Sequence, residues 1–368
     1  MIRIAFVINY IIKNGPSSVV LNIINNLRRD KYDISVITLF SGNDLGIING
    51  LRKESVKVYN CKTLDRKGCV LGRDREFRDV IQKGNFDIIH SHGFIPDILS
   101  SRLKNRAKRV TTIHNNMFED YIQSYGRIDG RVYILMHLFA LKRLDLCICC
   151  SKSVYIVMRH YLKNVTFIRN GIEEKKAQHN ICREDLNIPQ NATVFIYAGG
   201  LTYRKNIRFL IHEFVEDHLP DEYLLVLGDG PENEICLEIA DDHVKLLGFQ
   251  NDPIAYFNIS DIYTSASRSE GLSISALEAM SCGLGLLLSD ISSHREMISI
   301  GKKMYLGESF SITDDGESFG VAFNTLRENC NKIDKKAIKK LQRNKLSDTA
   351  MAEKYERVYR KVLQRDLV

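Results

Sequence analysis

No segment of this 368-residue chain is dominated by Gly, Pro, Ser or Gln, and no sequence period recurs along it. That argues against disorder, low complexity and a repeat array. The nine cysteines lack the paired spacing of a zinc site, whose ligands must converge on one point. Cys147, Cys149 and Cys150 share one apolar run, where alternate side chains of a strand face opposite ways. Buried free thiols and a reducing, cytoplasmic setting are expected. Spanning a bilayer takes about 20 apolar residues. The most apolar stretch, Val132–Leu141, is ten residues interrupted by His137. Met1–Asn9 is too short an apolar run for a signal peptide and leads to a Gly-Pro turn. No serine or cysteine has the flanks of a hydrolase nucleophile. Gly228-Asp229-Gly230 lacks the third Gly and helix start of a dinucleotide fingerprint. His90, His92 and His114 read as ending different strands with no carboxylate triad, so no metal is expected.

Charge is distributed unevenly. Residues 1–180 hold 30 Lys and Arg against 16 Asp and Glu, a net +14. Residues 181–330 hold 10 against 24, a net −14, and residues 331–368 hold 12 against 5, a net +7. A basic body followed by an acidic one implies two bodies with different partners. Nucleic acid is disfavoured for the basic body: it would need aromatics interleaved on the basic face, and Tyr and Phe here fall mostly in apolar strands and helices.

The apolar pattern alternates strand-like and helix-like segments, restarting once. In the first half, strands are expected at Arg3–Asn9, Asp33–Phe40, Val56–Asn60, Phe86–His90, Arg109–His114 and Leu146–Ser151. In the second they are expected at Thr193–Ala198, Tyr223–Leu227, Val244–Leu247, Ile262–Ser265 and Gly285–Ser289. Such alternation predicts parallel, doubly wound sheets. The predicted fold class is therefore α/β, with two Rossmann-like domains facing across a cleft. The expected boundaries are 1–172 for the first domain, 173–189 for a linker, 190–330 for the second domain and 331–368 for a helical tail packing back on the first. Arg66–Lys83 reads as helical, and the tail Lys335–Leu363 has helical periodicity.

The strongest chemical signal is Ser269-Glu270-Gly271-Leu272-Ser273 followed by Glu278-Ala279-Met280 and Gly283. Gly271 places Glu270 in the loop before a helix, and the N–H groups of Gly271, Leu272 and Ser273 at its start form an anion site suited to a diphosphate. Glu278, farther along, suits paired sugar hydroxyls. A second anion-binding element, Gly199-Gly200 with Arg204 and Lys205, falls between a strand and a helix, where two cations can meet charge developing on a leaving phosphate.

The run Ala198-Gly199-Gly200-Leu201-Thr202-Tyr203-Arg204-Lys205-Asn206, the strand end Leu227-Gly228-Asp229-Gly230-Pro231, Leu247-Gly248-Phe249 and the two-glutamate segment resemble the family 4 glycosyltransferases of the GT-B fold, in order and spacing. The first half resembles them more weakly, through Asn14-Gly15, Asp87–Gly93, Thr112-Ile113-His114 and Ile168–Gly171. The resemblance implies retaining transfer from a nucleotide sugar, with no metal and no cofactor, since the nucleotide sugar is itself a substrate. It puts Glu270 beside the donor hexose, Glu278 on the ribose, Lys205 on the phosphates and Phe249 at the base. It brings His114 to the reacting sugar and gives Gly15 a close backbone approach. The family often has Arg where Gly200 stands; Arg204 is the candidate substitute. It often has two Gly in the first loop, here Asn14-Gly15-Pro16, and Pro where Gly285 stands.

The implied product is a surface polysaccharide such as capsule or lipopolysaccharide, and the donor favoured is a UDP-sugar. The basic segments Arg66–Lys83 and Arg102–Arg109 suit peripheral docking on an anionic membrane and a lipid-linked acceptor. The competing expectation is a non-catalytic sugar-nucleotide or glycan-binding partner of the same fold, motivated by Gly200.

Overall fold

A computed structural model describes residues 1–364. The chain forms two compact units, Met1–Ile172 with the segment from Asp348 onward, and Glu173–Ser347.

The first unit is built on β1 (Ile2–Ile8), β2 (Tyr32–Thr38), β3 (Lys57–Asn60), β4 (Ile88–His92), β5 (Lys108–Ile113), β6 (Leu146–Cys149) and β7 (Val165–Phe167). Their order is β3-β2-β1-β4-β5-β6-β7, with every neighbouring pair parallel. Ile4–Val7 and Ile88–His92 are buried without alternation, the pattern of strands covered on both faces. The chain leaves β1 in one direction and returns beside it as β4, so the crevice at their C-terminal ends is a topological switch point.

The second unit repeats the logic with β8 (Thr193–Ala198), β9 (Glu222–Leu227), β10 (Val244–Leu246), β11 (Ile262–Ser265), β12 (Gly285–Ser289) and β13 (Gly307–Phe310), in the parallel order β10-β9-β8-β11-β12-β13. Its switch point lies between β8 and β11. Phe195, Phe214, Phe319 and Phe323 fill its core.

Three expectations about organisation are corrected. The helix expected over Arg66–Lys83 is two, Arg66–Val70 and Arg75–Gly84, with Gly72 at φ +86° between them. The Arg102 guanidinium donates to the Cys69 and Val70 carbonyls at 2.7 and 2.6 Å, satisfying the end of the first. Residues 173–189 are no free linker but part of the second unit. Arg183 anchors them, donating to the Ala192 carbonyl at 2.6 Å and pairing with Asp261 at 2.8 Å. The tail is two helices broken at extended Ser347. Lys335–Leu346 packs on helix Ile274–Cys282 of the second unit. Asp348–Gln364 packs on helix Gly15–Asn26 of the first, burying Tyr355 and Tyr359. The tail's last residues, 365–368, fall outside the described residues.

Two of the nine cysteines, Cys182 and Cys330, are exposed rather than buried. Cys147, Cys149 and Cys150 are buried and unpaired, and burial pushes the Cys147 and Cys149 thiols well up.

Candidate active site

The second unit's site begins with glycine. The loops after β8, β9 and β10 close backbone to backbone: Gly199 N–H donates to the Leu227 carbonyl at 2.9 Å, Leu201 N–H to Asp229 at 2.9 Å and Gly228 N–H to Gly248 at 2.8 Å. A Cβ on Gly228, at φ +142°, would lie 1.8 Å from the Gly199 oxygen, and one on Gly230 would lie 2.3 Å from the Leu201 oxygen. Side chains are thus excluded where these loops meet. Gly200 differs, since a Cβ there would find its nearest neighbours at 3.7 and 3.8 Å. Its carbonyl is fixed by Tyr197, whose hydroxyl donates to it at 2.9 Å.

Beside these loops, β11 ends and the chain runs through Ala266–Ser269 to Glu270, whose side chain is buried. Lys205 Nζ donates to Glu270 Oε1, which also accepts from Ser267 Oγ at 2.9 Å. Arg204 lies 3.5 Å from Oε2 and donates to the Ser269 carbonyl at 2.8 Å. Burial pushes the Glu270 carboxyl up, but Lys205 and Arg204 outweigh it and hold it down at about 2. Glu270 is ionised at neutral pH, and two cations face one carboxylate. The switch point is a positive island in an acidic segment.

Glu278 stands about one turn along helix Ile274–Cys282, which Ser273 caps by accepting from the Ala276 N–H at 3.3 Å. Gly271 and Leu272 complete the approach to that cap. Burial pushes the Glu278 carboxyl up, opposed by Lys175 at 3.6 Å. Lys175 had no place in the sequence reading. Phe249 follows Gly248 in the loop after β10 and is exposed, as a stacking surface for a ligand would be.

Sequence reasoning also missed His294, which is fully buried. Its Nδ1 lies 3.1 Å from the Ser289 carbonyl, which only accepts, so Nδ1 carries the proton. Nε2 is left as a buried acceptor without a protein partner. Burial lowers its pKa to about 4, against the pull of nearby Glu270. Ser289 Oγ joins it to the site by donating to the Ser267 carbonyl at 2.7 Å. The only sequence signal was a histidine just past the strand that follows the two-glutamate helix. The side-chain atoms Asn206 Nδ2, Ser269 Oγ and Ser293 Oγ are likewise buried without protein partners. Such groups are open to a hydrogen bond from a polar ligand or from water.

The first unit carries His114 and Gly15 at its own switch point. A cavity of 260 Å³ opens there, lined by His92, His114, Asn14, Tyr121 and His137 among others. Gly15 begins helix Gly15–Asn26 between cavity-lining Asn14 and Pro16, and Asn14 caps the helix by accepting from Ser17 N–H at 2.9 Å. The three histidines do not end different strands. His90 and His92 both lie on β4, and His114 follows β5 beside them. His92 Nδ1 meets His114 Nε2 at 3.0 Å, and His90 is satisfied by Tyr359 and Thr112 at 2.8 and 2.9 Å. Burial lowers His90 to about 3 and His114 to about 4, so both are neutral. A further chain went unnoticed in sequence. Buried Asp97 accepts from Ser91 Oγ at 2.5 Å and meets His137 at 2.8 Å, and His137 meets the Tyr121 hydroxyl at 2.7 Å. These residues are scattered over 46 positions, so only the fold joins them.

Two family models divide the chain. Glycosyl transferases group 1 matches residues 179–340, and Glycosyltransferase Family 4 matches residues 13–176. The O-antigen biosynthesis glycosyltransferase WclY of Escherichia coli is 26% identical over 372 residues, covering 97% of this chain and 98% of that protein. The UDP-Gal:alpha-D-GlcNAc-diphosphoundecaprenol alpha-1,3-galactosyltransferase of Escherichia coli is 26% identical, covering 81% of each. Anabaena HepE, solved with UDP-glucose, superposes with a TM-score of 0.79 at 16% identity, covering 98% of this chain and 100% of that one.

Proposed function

Because the chain belongs to the family 4 glycosyltransferases of the GT-B fold, we propose that it moves a hexose or N-acetylhexosamine, with retention, from a UDP-sugar to a lipid-linked or growing glycan acceptor. Its relatives by name build O-antigen and capsular polysaccharide, which fits a hexosyltransferase of polysaccharide biosynthesis. The observation that carries the donor assignment is the Lys205–Glu270–Arg204 cluster at the switch point of the second unit. Its excess positive charge suits a diphosphate, and ionised Glu270 accepts hydrogen bonds from sugar hydroxyls.

As the sugar–phosphate bond breaks, negative charge grows on the leaving oxygen and the cations meet it. Glu278 takes the ribose hydroxyls and Phe249 flanks the base. His114 and the Gly15 loop offer sugar-binding groups at the first unit's own cavity, where neutral His114 exchanges hydrogen bonds with hydroxyls without adding charge. Among the described residues no helix is long and apolar enough to cross a membrane. The placement proposed is the cytoplasmic face of a membrane, with no metal or cofactor required.

A nucleotide-sugar panel with product detection tests the reading. Transfer or hydrolysis of one UDP-sugar, abolished by Glu270→Ala, is expected. Nucleotide binding with no turnover on any donor would point instead to a binding partner.

A further inference from the structure

Helix Arg127–Leu141 has two unlike faces. Ile134, His137, Leu138 and Leu141 are buried, and His137 lines the 260 Å³ cavity of the first unit. On the opposite face, Ile128, Val132, Leu135 and Phe139 are 81, 50, 68 and 58% exposed. Their spacing of four, three and four places them in one stripe, since each residue advances about 100°. Arg127, Arg131, Lys142 and Arg143 flank the stripe and are exposed, with Asp129 the lone exposed acid on the helix. The Arg143 guanidinium sits 3.7 Å over the Phe139 ring, so cation and apolar surface are contiguous.

The helix is held rigidly from behind. Gly126, at φ +80°, turns the chain between helices Met117–Tyr125 and Arg127–Leu141. A Cβ on Gly130 would lie 2.7 Å from the Tyr121 oxygen, so the two helices touch backbone to backbone. The exposed stripe is therefore a fixed surface.

We propose that this stripe is the surface by which the protein seats on an anionic lipid bilayer, with the four apolar side chains entering the headgroup boundary and the flanking cations meeting lipid phosphates. Apolar residues on one face with Lys and Arg beside them are the signature of a helix lying in the membrane interface. A second copy of the chain fits less well: a two-fold contact would set these cations against themselves, and four side chains make a small patch beside the roughly 800 Å² per partner of a stable interface. The basic segments singled out in sequence are less suited. Arg102 is spent on carbonyls, Arg109 pairs with Asp145 and Arg78 with Asp74. The inference rests on the lipid-linked acceptor of the proposed function. It adds that the bilayer and the cavity wall lie on opposite faces of one helix, about 10–12 Å apart.

The test is flotation with vesicles of phosphatidylcholine containing about one-third phosphatidylglycerol, using the full chain. Wild type should bind, and more weakly without phosphatidylglycerol or at high salt. Leu135→Glu and Phe139→Glu should each weaken binding about tenfold or more, from lost apolar burial. Arg131→Glu with Arg143→Glu should abolish the lipid-charge dependence. Unchanged melting temperature and UDP affinity certify the fold of each variant, and Leu135→Ser serves if a Glu variant fails to fold. Undiminished vesicle binding in the stripe variants would overturn the proposal. So would a wild-type dimer that Leu135→Glu splits while vesicle binding persists. Turnover on a water-soluble acceptor reports separately on the transferase reading and should not change in the stripe variants.

Discussion

Replacing Lys205 by Ala removes one of the two cations that face Glu270. The carboxylate keeps Ser267 at 2.9 Å and Arg204 at 3.5 Å. Stranding a buried charge outright costs about 3–5 kcal/mol; with two partners left, about 2 kcal/mol is expected. The Glu270 carboxyl should rise from about 2 toward its ordinary 4.5 and stay ionised at neutral pH. The larger effect falls on turnover. Losing one preorganised charge stabiliser lowers turnover by roughly 10²–10³, about 2.7–4 kcal/mol of barrier. UDP affinity should fall less than about tenfold, since the charge Lys205 meets is greatest in the transition state. Arg204→Ala should also cost turnover, because Arg204 is the second cation at the carboxylate. The assay pairs steady-state turnover on the active UDP-sugar with UDP titration by calorimetry, and a melting curve guards against loss of fold. Near-wild-type turnover in a folded Lys205→Ala would refute the role, and an inert Arg204→Ala would leave Gly200 uncompensated.

The open space at Gly200 predicts that Gly200→Arg folds normally and tightens UDP binding about tenfold, by one more charge-assisted contact; unchanged affinity would place the phosphates elsewhere. Gly228→Ala meets the Gly199 carbonyl at 1.8 Å with φ at +142°, so it should cost about 3 kcal/mol and lower the melting temperature by about 6–12 °C; a normal melt would show that these loops do not pack as described. His90, His114 and His294 are buried neutral, with pKa values of about 3, 4 and 4 against an ordinary 6.5. The unfolded chain takes up these protons first, so their contribution is whole above pH 6.5 and is lost as pH falls toward 4, each adding a slope of up to about 1.4 kcal/mol per pH unit. Glu270 acts lower, its contribution present above pH 4.5 and lost as pH falls toward 2. Melting temperature followed from pH 8 to 4 should decline below about 6.5; a flat profile to pH 4.5 would contradict the neutral assignments.

What could be read in sequence was local. The strands around Ile4–Val7 and Leu224–Leu227 are short apolar runs ended by turn residues, and Gly199-Gly200 and Gly228-Asp229-Gly230 sit where strand ends must turn. The cation–glutamate cluster was legible as a motif, but its geometry was not. Nothing in Arg204-Lys205 says that both cations turn onto Glu270, 65 residues on from Lys205. β13 escaped because Gly307–Phe310 contains Glu308 and Ser309 and carries no apolar run. The broken helix at Gly72 escaped because charged residues run across the break with helical spacing.

The helix Arg127–Leu141 shows why surface function is harder to read than a site motif. Its sequence is apolar on both faces: Ile134, Leu138 and Leu141 fall on one side, Val132, Leu135 and Phe139 on the other. Apolarity all round reads as a buried helix, which is how a core segment of a large domain would appear. Only the packing of Phe94–Ser101 and Met117–Tyr125 against one side decides which face is core. The other face remains exposed at a cost that the chain has no structural need to bear, since polar residues there would serve the fold equally. Site motifs survive in sequence because phosphate and sugar chemistry demand particular residues at particular strand ends. A docking face demands only apolar residues beside cations, and any core helix near a basic loop satisfies that in sequence. Its identification therefore waits on burial, and its function on the vesicle experiment.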